Sequence, residues 1–332
     1  MRSLRFVLTV IVVLLLASPA LAHVPRFPED NDSPGEAVVV PDPVKSWSFY
    51  DSLQDGQVKY YRATLGAGER LTVGAFTPMS GPFTPSLVVM SPALEASGSV
   101  PDGVVVPDGM DAVVVEGERP GSARYEPFGP SANYHTAGFE HTVDRERTYL
   151  IAVYEPADRT GPAGVSIGSA ESFTPMEYLT VPFDLIELHL WEGQSPLVVF
   201  GPLLLTVVAG LDAVRRRWQE SWDHKLLRAT LSGAGLLLLG SGVTTAVQTS
   251  VALGRTGPTA GVLVTTVFIV VPLAGGSWVL ARALGPTCPL TPRRRLGLAL
   301  TGVATLLTWA GFIVGPLVLI GVAGVPSRAS SR

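Results

Sequence analysis

The stretch Gln57–Phe76, QVKYYRATLGAGERLTVGAF, decides the architecture of the first half of this chain. Two runs rich in β-branched and aromatic residues, Gln57–Thr64 and Arg70–Phe76, flank Leu65-Gly66-Ala67-Gly68-Glu69. Apolar alternation with period 2 around a short glycine-bearing connection reads as strand, turn, strand. The same grammar continues outward. Ser86–Met90, Gly103–Val106, Ala112–Val115, Thr148–Tyr154 and Gly164–Ile167 are further strand-forming runs, and Asp55-Gly56, Pro101-Asp102-Gly103 and Pro107-Asp108-Gly109 supply turns. Many short strands at this spacing predict an all-β sandwich or jelly roll over residues 46–172. The repeated Val-Pro-Asp-Gly around 100–109 reads as local turn chemistry. Residues 23–45, rich in Pro, Asp, Asn and Gly, read as an extended leader.

Charge divides the chain. Residues 23–194 carry 25 Asp and Glu against 10 Lys and Arg, whereas residues 195–332 carry 3 against 12. The basic half also holds four apolar stretches, about 196–211, 226–247, 259–284 and 296–322, each close to the length that crosses a bilayer as a helix. Arg215, Arg216, Arg217, Lys225 and Arg228 lie between or beside the first two stretches, and Arg282, Arg293, Arg294 and Arg295 lie between the last two. Basic loops stay cytoplasmic, so the acidic half faces outward. Residues 1–22 have the order of a cleaved signal: Arg2 and Arg5, an apolar run from Phe6 to Ala17, then Ser18-Pro19 and Ala20-Leu21-Ala22. The mature chain then begins at His23. The expected product is a multi-pass cell-membrane protein with an extracytoplasmic amino-terminal domain, a four-helix bundle over 196–322, and a tail, 323–332, returned outside by the even span count. Arg328 and Arg332 in that tail pull the other way. The one cysteine, Cys288, excludes an internal disulfide, and it falls in a loop expected to be cytoplasmic, where thiols stay reduced.

The succession Asp55–Ala63, Leu65–Val73, Ser86–Pro92 and Thr148–Tyr154 resembles bacterial pre-peptidase C-terminal (PPC-like) domains, over roughly residues 50–170. That resemblance implies a small extracellular β-sandwich that assists folding or binds matrix. The chain departs from the usual setting in having no protease domain and in carrying an insert, residues 93–147. The whole arrangement also resembles archaeal surface membrane proteins that share an Ala-His-Val-Pro start, a Lys-Ser-Trp stretch and a Trp-Glu-Gly-Gln segment, here Ala22–Pro25, Lys45–Trp47 and Trp191–Gln194. It implies no activity.

Residues 173–195 join the halves. Leu185, Ile186, Leu188 and Leu190 do not form one clean helical stripe, but Tyr178 and Trp191 suit the water–lipid boundary, so the segment reads as an interfacial connector.

Catalytic signatures are lacking. Gly164-Val165-Ser166-Ile167-Gly168 matches G-x-S-x-G, but a nucleophile elbow needs a strand-turn-helix setting, and this Ser166 falls in a strand of a β domain. No Walker motif, Rossmann fingerprint, H-E-x-x-H or CxxC occurs, and the acidic outer half disfavours nucleic acid. No cofactor is expected, and the partners expected are the lipid bilayer and a protein or envelope component. The alternative is copper. A free amine and imidazole at His23 chelate one metal, with His135 and His141 as further candidate ligands, since copper favours nitrogen donors. This pattern is similar to the amino-terminal histidine of CopC-type copper carriers and lytic polysaccharide monooxygenases. Asp102, Asp108, Asp111 and Glu116 are candidates for a calcium site, though Asp in Pro-Asp-Gly is also ordinary turn chemistry, and Asn31-Asp32-Ser33 is a glycosylation sequon. Tyr125, Phe128 and Tyr134, held among prolines, are candidates for a binding loop; the same aromatics would otherwise cover the end of the sandwich. The apolar stretches lack mid-depth Asp, Glu, Lys or His, which argues against a pump, while their Gly and Ser favour close helix packing. The reading is therefore a membrane-anchored, non-catalytic binding or envelope-structural protein. The alternatives are metal handling at His23, or an accessory subunit of a membrane transporter or enzyme.

Overall fold

The computed structural model describes residues 23–288 and 290–325; the signal segment expected at 1–22 and residues 326–332 of the tail lie outside the described residues. The amino-terminal half holds two mixed sheets. The six-stranded sheet runs β1 (Val24–Arg26), β3 (Trp47–Leu53), β11 (Gly161–Ile167), β5 (Arg70–Thr77), β9 (Ser131–Thr142), β8 (Arg124–Glu126). The five-stranded sheet runs β2 (Val38–Val39), β4 (Lys59–Leu65), β10 (Arg147–Tyr154), β6 (Ser86–Ser91), β7 (Asp111–Val115). Every pairing is antiparallel except β1 with β3 and β2 with β4.

Alternation builds the core between them. Phe49, Leu71, Val73, Val165 and Ile167 from one sheet meet Tyr61, Leu65, Leu87, Val89, Tyr149 and Ile151 from the other. These are every-second-residue positions, which is what one face of a pleated strand presents. Each such burial stabilises by about 1.5–3 kcal/mol before ordering costs are subtracted. The opening stretch divides across this core. β4 and β5 belong to different sheets, so the turn between them carries the chain from one layer to the other. That turn is held locally: Gly68 takes φ +82°, open to glycine, and Glu69 accepts a 2.6 Å bond from the Gly66 amide.

Four sequence expectations change. The supposed leader is part of the sheets, because β1 and β2 add parallel edge strands from residues 24–26 and 38–39. Asn31 within it is fully buried, with its amide directed at the Tyr60 carbonyl, so the sequon is not a surface acceptor. The supposed insert, 93–147, supplies β7, β8 and β9. Gly103–Val106 forms no strand. Val104, Val106 and Met110 instead cover the outer face of the five-stranded sheet, packing on Tyr60, Val88, Met90 and Leu150. A sheet covered on both faces explains why β6 and β10 read as continuous apolar runs.

The connector is a helix, α1 (Pro175–Trp191). Thr174 accepts from the Glu177 amide and Glu177 reaches back to the Thr174 amide, a capping box that fixes the start. Glu177 also meets Lys45 at 2.5 Å, both largely buried. Met176, Leu179, Phe183 and Leu190 are exposed along one stripe, while Val181, Leu188 and His189 face inward. Leu185, Ile186, Leu188 and Leu190 do not mark the exposed stripe because only Leu190 of the four lies on it.

Three helices are long and apolar enough to cross a membrane: α2 (Pro196–Arg217), α3 (Lys225–Thr256) and α4 (Val262–Ala283). Small residues bring α3 and α4 together. A Cβ added at Gly276 would lie 2.7 Å from the Gly235 carbonyl oxygen. The fourth expected span is not one helix. It is α5 (Pro292–Leu306), a 3₁₀ turn (Ala310–Phe312) and α6 (Val314–Gly324). These fold back on each other. A Cβ at Gly302 would lie 2.9 Å from the Pro316 oxygen, and Arg295 donates to the carbonyls of Ala323 and Val325. The segment is an antiparallel helical hairpin whose two ends share one end of the bundle. The fourth apolar stretch is therefore two short helices and not one span, so the even count on which the outside tail rested is not met among the described residues.

Candidate ligand site at the junction of the two domains

The β domain is seated on the helices through several elements. Trp191 at the end of α1 donates 2.6 Å to the Asp51 carbonyl, and its ring meets Tyr50 and Phe76 edge-on. Thr265 of α4 donates 2.7 Å to the Pro127 carbonyl, so the 2.7 Å contact from Tyr125 is donated by the tyrosine hydroxyl. Phe128 packs edge-on against Phe268 of α4 and Trp309 at the hairpin tip, with centroids 5.5 and 6.4 Å away. Tyr125 and Phe128 thus face the chain's own helices. Tyr134 carries the Arg119 guanidinium over its ring at 3.8 Å and packs near Ala252. The aromatic loop covers one end of the β domain and docks it.

A cavity of about 90 Å³ lies where these elements converge. Its wall takes Phe128 from the β domain, Leu185 and His189 from α1, Phe200 and Leu203 from α2, Thr244 and Gln248 from α3, and Trp309 from the hairpin tip. Three residues of this wall each carry a buried polar atom without a partner: Gln248 Oε1, Thr244 Oγ1 and Trp309 Nε1. Gln248 is almost wholly buried, at 1 % exposed. An unpaired buried polar group costs about 1–3 kcal/mol, and three residues that carry one border the same cavity.

The hairpin tip closes the cavity in a strained conformation. Trp309, Phe312 and Ile313 take φ 52°, 51° and 64°. A left-handed backbone is unusual for bulky residues and rarer still for β-branched ones. Packing holds it: Ser241 Oγ of α3 accepts the Gly311 amide at 2.7 Å, and Tyr178 donates to the Leu306 carbonyl. Irregular backbone among apolar helices occurs where it is buried in protein or lines a cavity, and here it does both.

Two histidines of the β domain influence each other's charge. β1 holds His23 beside β3, where Nδ1 lies 2.5 Å from Ser46 Oγ. His23 is close enough to His135 to oppose its protonation. Burial, then the charges of Arg124 and His23, pull the His135 imidazole down to about 4. Burial lowers His23 as well. Both rings are therefore neutral at neutral pH. His141 is not with them: it lies six residues further along β9, about 20 Å at strand spacing, between Phe139 and Tyr149. Among the described residues no three His, Cys, Asp or Glu side chains gather as a metal site, and the Asp102, Asp108, Asp111 and Glu116 set is not brought together. Ser166 donates to the Gly74 carbonyl within the sheet, and the next helix, α1, starts only at Pro175, so no strand-turn-helix elbow forms at this serine. Glu126, whose Oε1 accepts from the Phe128 amide, is pushed up to about 8 by burial, with repulsion from Glu171 adding to it.

Thr244, Thr245 and Gln248 are polar residues near one end of an apolar stretch, and they are the signal the sequence carries for the cavity. Nothing in the sequence pointed to Trp309 or His189, which reach it only because the last segment folds back and α1 lies across the helix ends. No known protein family matches the chain, and no curated protein does.

Proposed function

We propose that this is a membrane-anchored, non-catalytic binding protein of the cell surface. In this reading the acidic PPC-like sandwich is extracytoplasmic, α2, α3 and α4 cross the bilayer, and the final hairpin enters from the basic, cytoplasmic end. The ligand is held at the junction chamber and not on outward-facing loops. The observation that supports this is the cavity with unpaired Gln248, Thr244 and Trp309 atoms, walled jointly by both domains. Binding there would couple the sandwich to the bundle. The test is native mass spectrometry of the intact protein purified in nanodiscs of its own membrane lipid. A bound small-molecule mass is expected, and Leu203→Trp, which fills the chamber, removes it. A wild-type protein that carries no such mass, or keeps it in Leu203→Trp, overturns the reading.

A second reading is metal handling at the mature amino terminus. Its support is that His23 is fixed against β3 near His135, whereas a flexible leader would have held it nowhere. The amine and imidazole of His23 with the His135 imidazole would give a nitrogen-rich set suited to copper. Sequencing the mature terminus and titrating Cu(II) tests it. Tight binding lost in His135→Ala and kept in His141→Ala is expected; a terminus elsewhere than His23 ends it.

A further inference from the structure

We propose that the occupant of the junction chamber is the hydroxyl head of an uncharged long-chain amphiphile, with its hydrocarbon tail leaving past Phe200 onto the lipid-facing side of α2. This rests on the chamber being a binding site, as proposed above. The chemistry of the wall selects the head. No Lys, Arg, Asp or Glu lines it, and the one titratable side chain there, His189, has its Nδ1 engaged by Glu192 at 3.0 Å. A phosphate or carboxylate would enter without a counter-charge, and an ammonium would meet aromatic faces but no carboxylate, which is why the trimethylammonium probe is a necessary arm of the test below. The unpaired atoms instead comprise one acceptor, one donor and one hydroxyl: Gln248 Oε1, Trp309 Nε1 and Thr244 Oγ1. One alcohol complements them, donating its hydrogen to Gln248 Oε1 while its oxygen accepts from Trp309 and Thr244.

Size and position select the tail. At about 90 Å³ the chamber is well below the roughly 300 Å³ of a pocket that encloses a whole small molecule, so only a head is held. The rest must lie elsewhere. Phe200 both lines the chamber and is 36 % exposed, and Leu197, Leu204 and Leu205 beside it are exposed at 84, 59 and 71 %. That apolar flank is where a tail would find lipid. Depth agrees: Ser241 to Gln248 lie about 24–35 Å along α3 from the basic residue Lys225 at 1.5 Å per residue, near the far boundary of a ~30 Å hydrocarbon layer, where an alcohol head resides.

The experiment uses the full-length protein in nanodiscs and three photoreactive diazirine probes with one chain: a long-chain alcohol, the matching carboxylic acid and the matching trimethylammonium. The alcohol is expected to label chamber residues, with labelling competed by unlabelled alcohol. Gln248→Leu and Trp309→Phe should each weaken it roughly tenfold, the equivalent of one good hydrogen bond. Gln248→Leu removes an unpaired polar atom, so the variant is expected to stay folded; its thermal midpoint is measured alongside. Equal labelling by all three probes, or labelling unchanged in both variants, overturns the proposal. Preferred labelling by a charged probe rejects the alcohol head yet leaves the chamber as a binding site. Absence of labelling by every probe, together with no bound mass in the native protein, means a water-filled space and rejects both.

Discussion

Glu126 shows how a single residue at the junction ties pH to stability. In the unfolded chain its carboxyl titrates near 4.5, and in the fold burial moves it to about 8. Between those values the folded state holds a proton that the unfolded state has released. Its contribution is therefore most favourable below about pH 4.5 and diminishes as pH rises through about 8. His135 has the opposite sign. Its folded value of about 4 lies below the ordinary 6.5, so its contribution is present above pH 6.5 and is lost as pH falls toward 4. The two are separable by mutation. Glu126→Gln is expected to raise the thermal midpoint at pH 8 more than at pH 5, and a difference plot of midpoint against pH for the two proteins checks it. A difference independent of pH would mean that Glu126 titrates normally.

At the scale of elements, α1 carries the joint between the domains. Its first turn depends on Glu177, which caps Thr174, meets Lys45 at 2.5 Å and lies 3.6 Å from Arg26. Burial opposes ionisation of Glu177, but bonds from Lys45 and Thr174 outweigh it and hold its carboxyl below the usual range. Glu177→Ala would lose the cap and leave the Lys45 ammonium buried without its partner. Breaking a buried pair from one side costs about 3–5 kcal/mol. We expect a fall of that order in stability by reversible denaturation, with Lys45→Met in the same chain recovering part of it because the orphaned charge is then gone. No recovery would place the cost in the cap alone. The hairpin of α5 and α6 is the other element of consequence. Its tip supplies Trp309 to the chamber only because Gly302 lets the two arms approach and Ser241 anchors Gly311.

For the whole molecule, the testable quantity is which faces share a side of the membrane. The hairpin places residues 323–325 next to Arg295, at the end opposite the β domain's seat on Thr265 and Trp309. In a Cys288→Ser background, Ser52→Cys on the β domain is expected to react with a membrane-impermeant maleimide on intact cells. Val325→Cys is expected to react only after the membrane is opened. Labelling of both on intact cells would restore a straight fourth span and a tail beside the β domain.

Local pattern was sufficient for much of this. Period-2 alternation in stretches such as Tyr60–Leu65 and Arg70–Phe76 marked strands, because a pleat presents successive side chains to opposite faces whatever lies around them. Long apolar runs marked α2, α3 and α4 because crossing an apolar layer is a matter of length and composition. Neither property says which strands pair or where a segment turns back. Sequence alone could not show that β4 and β5 lie in opposite sheets, that β1 joins β3, or that Trp309 to Ile313 adopts a left-handed turn. Those depend on contacts between residues far apart in the chain, such as Gly302 with Pro316 and Tyr125 with Thr265. The sequence on its own determined a β half, an apolar helical half and the boundary between them. Only the tertiary structure decided that the two halves share a polar chamber, because its wall is assembled from the β domain, α1, α2, α3, α4 and the hairpin tip, none of which carries the signature of a site by itself.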